Sequence, residues 1–164
     1  MFRAFYPDER IDSTYLINFA KLYQEGYRGI IFDIDNTLVE HGKDADERAK
    51  QLFEHLKKLG FSSCLLSNNK RERVLRFNKE IQTNYIYDAH KPARRNYKKA
   101  MELMNTNLAN TIFIGDQLFT DVWGAKRLGM RNILVAPIDK KEEIQIVFKR
   151  YLEKIVLYFY EKQR

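Results

Sequence analysis

One cysteine and three prolines are all that 164 residues contain of those types, and no stretch of about 18 consecutive apolar residues occurs. The single thiol, Cys64, has no partner for a disulfide within the chain and cannot build a thiolate zinc centre, so a reducing, cytoplasmic setting is expected. Lacking a long apolar run, the chain is not expected to span a membrane, and MFRAFYPDER has no unbroken apolar core of the kind a secretion signal needs. Contact with a membrane would be peripheral. Also missing are GxSxG, the P-loop and GxGxxG, which leaves acyl-transfer triads, ATPase folds and dinucleotide binding without support. His41, His55 and His90 are scattered, and no two of them have metal-ligand spacing.

Positive charge, by contrast, is plentiful: 29 Lys+Arg face 22 Asp+Glu, a formal net charge of +7. That excess suits an anionic substrate or partner, although solubility alone would also account for it. The length fits one domain, residues 1–164, with a core large enough to need no staple.

Short apolar runs alternate with helical periodicity, the pattern of β-α-β units around a parallel sheet. Five strands are predicted at 29–35, 62–67, 84–89, 110–116 and 131–137. Helices are predicted over Lys43–Leu59, Lys70–Ile81, Pro92–Met104 and Phe119–Leu128, with Gly60 and Gly129 as stops. The expected fold is a three-layer α/β Rossmann-like domain, a five-stranded parallel sheet with helices on both faces. Two further helices are expected outside this unit. One covers about 12–24, capped by Asp12 or Ser13. The other, about 141–162, is rich in aromatic and branched residues yet carries Lys149, Arg150, Lys154 and Lys162. Its stripe suits packing on the sheet or an interfacial, partner-binding face.

Ligands of open parallel sheets bind at the carboxyl ends of the strands, so the residues that end each run matter most. The first run ends in Asp33, Asp35 and Thr37, the two carboxylates two apart and therefore predicted on one side of the strand. The second ends in Ser67 and Asn68; His90-Lys91-Pro92 follows the third; the fourth ends in Gly115-Asp116 with Asp121 beyond it. Carboxylates, a hydroxyl and an ammonium brought to one crevice suit Mg²⁺-assisted phosphoryl transfer. Magnesium prefers oxygen ligands, among them one or two carboxylates and a substrate phosphate, and Asp33 with Asp116 could supply the carboxylates. Ser67 and Lys91 could hold the remaining phosphate oxygens.

DIDNT as DxDxT, Ser67 after an apolar strand, Lys91 in HKP, and GDQLFTD as GDxxxxD resemble, in order and spacing, the four motifs of the haloacid-dehalogenase-like (HAD) phosphatases. That resemblance implies roles. Asp33 would be the nucleophile, forming an aspartyl-phosphate, and Asp35 the general acid and then base, its backbone carbonyl also on the metal. Asp116 would be a side-chain metal ligand and Asp121 a ligand or a residue behind one. Ser67 and Lys91 would bind the transferring phosphate, with Asn36, Thr37 and Asn68 completing the loops. Many relatives carry a cap domain over the site; the intervals Thr37 to Ser67, Ser67 to Lys91 and Lys91 to Asp116 are each filled by one helix-strand unit, so a capless, open site is expected.

Basic residues in NNKRERVLRF and HKPARRNYKK are placed on helices that begin at the same end, which favours a substrate with several negative charges. Over nearly all its length the chain is similar to the YqeG family of subclass IIIA, related to phosphatidylglycerophosphate phosphatases. The similarity implies a Mg²⁺-dependent phosphomonoesterase whose substrate is a phosphate monoester, a lipid headgroup at a membrane surface being the leading instance. Phosphoprotein and nucleotide phosphatases, or a scaffold that holds RNA, ribosome or membrane on this fold, are the alternatives. No nucleic-acid module is recognised, and a homo-oligomer is compatible with an open site.

Overall fold

Runs rich in Ile, Val, Phe and Leu pair through their backbones because their branched and aromatic side chains fit a pleated surface covered on both sides. In this computed structural model, which describes residues 2–140 and 144–164, six strands result: β1 (Glu9–Ile11), β2 (Gly29–Phe32), β3 (Ser62–Leu66), β4 (Asn84–Ile86), β5 (Thr111–Gly115) and β6 (Arg131–Val135). Their order is β1-β6-β5-β2-β3-β4 and every pairing is parallel. The expected sheet of five strands is therefore corrected to six. The additional strand, β1, is three residues long and lies on the edge beside β6, with Glu9 opposite Ile133. Its sequence, ERI, has no apolar run to announce it.

Alternate residues of the central strands feed two cores, as period-2 side-chain direction requires. Ile30, Phe32, Leu65, Ile112 and Ile114 pack with Leu22 of α1 (Phe19–Gln24), Leu52, Phe53 and Leu56 of α2 (Glu47–Leu59), and Val74 and Phe77 of α3 (Arg71–Ile81). On the opposite face Ile31, Cys64, Leu66 and Phe113 meet Tyr97, Ala100, Met101 and Met104 of α4 (Arg95–Met104) and Ala125 of α5 (Trp123–Lys126). Helices thus cover both faces. Burial in this apolar setting pushes the Cys64 thiol up to about 12, which leaves it an inert core group.

Local chemistry sets the helix ends. Asp46 accepts a hydrogen bond from the Ala49 N–H at 2.8 Å, so α2 begins at Glu47 and not at the predicted Lys43, and Gly60 ends it in the left-handed region at φ 102°. The single helix expected over 12–24 is split in two. Ser13 caps a 3-10 turn at Thr14–Leu16, the chain extends at Ile17, and Asn18 caps α1 by accepting from the Lys21 N–H at 3.0 Å. Helix α6 (Ile144–Lys162) runs to the expected end; its predicted start at 141 lies outside the described residues. Among the described residues no helix is long and apolar enough to cross a membrane.

From β2 the chain proceeds outward through β3 and β4 on one side, while β5 and β6 lie on the other. The strand order reverses between β2 and β5, and a crevice opens there at the carboxyl ends. Each interval between the expected motif residues holds a single helix and a single strand, α2 and β3, then α3 and β4, then α4 and β5. No inserted unit occurs among the described residues of those intervals.

Candidate active site

Strand β2 stops at Phe32, and the next residues turn sharply. The Asp33 N–H still donates to the Ile114 carbonyl at 3.0 Å, but Asn36, at φ 62°, sits in a left-handed turn in which Thr37 and Leu38 N–H groups donate back to the Ile34 carbonyl. The turn brings the Thr37 hydroxyl within 3.3 Å of Asp33 Oδ2 and 3.0 Å of Asp116 Oδ1, so one donor ties the loop after β2 to the loop after β5. Thr37 itself is fixed by Thr14, whose hydroxyl donates to the Thr37 carbonyl at 2.8 Å.

After β5 the chain makes one π-helical turn, Leu118–Val122, which swings the Asp121 carboxyl back over the strand end; its Oδ2 accepts from the Gln117 N–H at 3.0 Å. Gly115 is required for that approach, because a Cβ there would run into the Asp121 carboxyl. Tyr97 supports the turn from below, donating its hydroxyl to the Thr120 carbonyl at 2.9 Å, and Gly124 leaves the space its ring tip occupies.

Asp33, Asp116 and Asp121 consequently offer carboxylate oxygens that all lie within 4.8 Å of one another. They are only 8 %, 2 % and 1 % exposed. Lys91 threads between them: its ammonium donates to Asp33 Oδ1 at 2.6 Å and to Asp121 Oδ1 at 2.7 Å. Asn68 grips the Lys91 backbone reciprocally, accepting from its N–H at 2.7 Å and donating to its carbonyl at 3.3 Å. Three carboxylates and one ammonium in so little water do not ionise like surface groups. Burial holds Asp33 well above the ordinary carboxylate range, with Asp121 and Asp116 adding to the rise and Lys91 opposing it. Burial also lifts Asp116, with help from Asp121, to about 6 despite Arg150 and Thr37. Burial would lower Lys91, but the Asp121 and Asp33 carboxylates outweigh it and raise its pKa, so it stays charged.

Asp35 takes a different place. The alternation expected to put it beside Asp33 ends with the strand. Its carboxylate accepts from the Gly42 N–H at 2.7 Å, from the Asn69 amide at 2.5 Å and from Arg73 at 2.9 Å. Asp33, Asp35, Asn68 and Lys91 nevertheless line one open cleft of about 180 Å³, together with His41, Asn69, Gln117, Thr120 and Ile146. Ser67 is buried at its edge; its hydroxyl accepts from the Asn69 N–H at 3.1 Å and from the Asn69 amide at 3.0 Å, and its carbonyl accepts from the Ala89 N–H. The nine residues expected at the site thus follow the ends of β2, β3, β4 and β5, with Lys91 after β4 and Asp121 on the π-helical turn.

Residues of this neighbourhood that sequence reasoning left unassigned are Arg150, Glu153, Asn69 and, in its contact with Asp35, Arg73. Arg150, on α6, forms a two-point clamp on Asp116, donating both to its carboxylate and to its backbone carbonyl. Glu153 pairs with the same guanidinium at 3.0 Å and accepts from the Leu118 N–H at 2.8 Å, satisfying the first turn after the GD motif. Only the i, i+3 spacing of Arg150 and Glu153 hinted at a pair, and nothing in the sequence said what it would face.

The donor set fits a hard divalent cation. It consists of carboxylate oxygens alone, clustered and buried within reach of one another. Asp33, Asp116 and Asp121 would hold it.

The HAD-hydrolase-like family model matches residues 89–144, the stretch from the Lys91 motif through the GDxxxxD motif. Over 156 residues the chain is 36% identical to "Probable phosphatase YqeG" of Bacillus subtilis, covering 94% of this chain and 91% of that protein. It is 23% identical to phosphatidylglycerophosphate phosphatase 1, chloroplastic/mitochondrial, of Arabidopsis thaliana over 86% of this chain but only 43% of that longer protein. Among solved structures, the cobalt-bound deoxy-D-mannose-octulosonate 8-phosphate phosphatase of Haemophilus influenzae superposes with a TM-score of 0.53, at 14% identity, over 84% of this chain and 90% of the other. That likeness is one of fold.

Proposed function

The chain belongs to the YqeG family of HAD-like phosphatases, and from that premise we propose that it is a capless, Mg²⁺-dependent phosphomonoester hydrolase working through an aspartyl-phosphate on Asp33. One observation carries the reading: the buried trio Asp33, Asp116 and Asp121 closed around the Lys91 ammonium at the reversal point of the sheet. Such a trio is costly unless it serves a cation and an anion together.

In this reading an Asp33 carboxylate oxygen forms a bond to phosphorus while the bond from phosphorus to the leaving oxygen breaks. Asp35, which lines the same cleft, takes up a proton from solvent when its carboxylate is freed from Arg73 and gives that proton to the leaving oxygen. Water then attacks the acyl-phosphate, its proton passes to Asp35, and inorganic phosphate leaves with Asp33 restored. Lys91 and the Ser67–Asn69 loop orient the phosphate oxygens, and Asn68 keeps Lys91 in place. Bound Mg²⁺ would supply charge neutralisation to the phosphate and to the three acids.

The leading substrate is a glycerol phosphate monoester carried on a lipid headgroup. Its support is the similarity to the Arabidopsis enzyme and a cleft over which no inserted unit lies among the described residues of the motif intervals. A phosphatase screen that sets phosphatidylglycerophosphate in mixed micelles beside sugar phosphates, nucleotides and phosphopeptides tests it. Hydrolysis of the lipid at least about tenfold faster in kcat/KM than any soluble ester is expected, with loss of all activity in excess chelator. Preference for a soluble ester would reassign the substrate; activity undiminished by chelator would remove the metal.

A further inference from the structure

Helix α6 buries Glu153, Val156 and Tyr160 and turns an unusual surface outward. Phe148, Tyr151, Leu152, Ile155, Tyr158 and Phe159 are all exposed, Phe148 and Tyr151 by 66 % and 65 %. At about 100° per residue these six fall within an arc of about 120°, one continuous apolar stripe along the helix. Exposed Lys149 and Lys154 border the arc on its two sides, and Lys162 stands at its far end with its ammonium 4.6 Å from the Tyr158 ring centre. The described acidic residues of α6 are already engaged, Glu153 with Arg150 and Glu161 with Arg10. Among the described residues of α6, therefore, the stripe has a cationic border with no uncommitted carboxylate to balance it.

We propose that this outward face of α6 docks on an anionic lipid surface. Aromatic and branched side chains enter the boundary between headgroups and acyl chains, and the bordering lysines meet headgroup phosphates. A second copy of the chain is the poorer occupant, because two such faces would bring their lysine borders together with no carboxylates between them. The same helix places Ile146 in the wall of the catalytic cleft and Arg150 on Asp116, both on the face opposite the stripe, so α6 itself would lie between the lipid surface and the cleft. The docking rests on the helix face alone; only the supply of a lipid-borne phosphate to the cleft rests on the phosphatase reading.

Sedimentation of the full chain with vesicles tests this. Vesicles of phosphatidylcholine alone are compared with vesicles in which about a third is phosphatidylglycerol, at low and high salt. Wild type is expected to partition at least about tenfold better onto the anionic vesicles, and Phe148→Ser/Tyr151→Ser and Lys149→Glu/Lys154→Glu to lose most of that advantage. Aryl-phosphate turnover in solution should stay within about twofold of wild type in both variants, which shows that they fold. No binding, equal binding to neutral vesicles, or variants that bind like wild type would overturn the proposal. So would concentration-dependent dimers that the Phe148/Tyr151 variant dissolves, if they come without vesicle binding. Vesicle binding without aryl-phosphate turnover upholds the docking and overturns the phosphatase reading instead.

Discussion

The crevice at the end of β2 and the outer face of α6 break the usual rule of burial in opposite senses. In the crevice three carboxylates and an ammonium lie in the interior; on α6, aromatic and branched side chains lie in water. The first inversion is settled within the chain, because Lys91, Thr37 and Arg150 answer the acids. The second is answered on one flank alone, where the Phe2 ring lies 5.7 Å from that of Phe159, while Phe148 and Tyr151 stay exposed. A buried charge cluster can thus be answered by single side chains or small ions, whereas an exposed apolar stripe can be covered only by a partner of its own size.

The largest expected effect comes from removing the oxygen proposed to attack phosphorus. Asp33→Asn should lower turnover of an aryl phosphate by at least about a thousandfold while urea denaturation stays cooperative. Retained activity in that variant would detach the crevice from chemistry altogether. Next is the charge that makes the cluster tolerable. Lys91→Met leaves the acids without their shared cation, and a loss of about 3 to 5 kcal/mol is expected by urea denaturation in chelator, partly restored by Mg²⁺. An unchanged midpoint would mean that the acids protonate at no cost.

The pH dependence of the metal-free protein is the third test. Asp116 has its pKa raised from the ordinary 3.8 to about 6 on folding, and Asp33 moves in the same direction. Between those values the native state holds more protons than the unfolded one, so stability falls as pH rises from about 4 to about 7. The Asp116 contribution to that fall is about 2 to 3 kcal/mol. Saturating Mg²⁺ should flatten or reverse the slope, and a slope that ignores Mg²⁺ would place the cation elsewhere. The smallest effect belongs to the other region. Leu152→Ser on the α6 stripe should change stability by no more than about 0.5 kcal/mol, since an exposed side chain contributes little to the core. A loss of 2 kcal/mol or more, by the about 1 to 3 kcal/mol scale of buried packing, would show the stripe to be covered within the chain.

Much of the crevice could be read from the sequence because its residues follow apolar strands at short, fixed intervals, and strand ends are where an open parallel sheet gathers its ligands. The two-layered covering of helices was legible for the same reason, through periods of 2 and 3.6. What escaped did so on physical grounds. Strand β1 is an edge strand of three residues whose pairing depends on β6, more than a hundred residues away, not on its own hydrophobicity. Asp35 was placed by an alternation that holds only while the backbone remains extended, and the left-handed Asn36 ends it. The helix over 12–24 was broken by an Asn cap that competes with helix continuation through Ile17. Arg150 reaches Asp116 across 34 residues of sequence, and no local pattern encodes such a contact.

That last contact also ties the charge balance of the crevice to the seating of α6. Because Arg150 sits on the helix that carries the apolar stripe, any loosening of that helix withdraws a countercharge from the acid pocket at the same time.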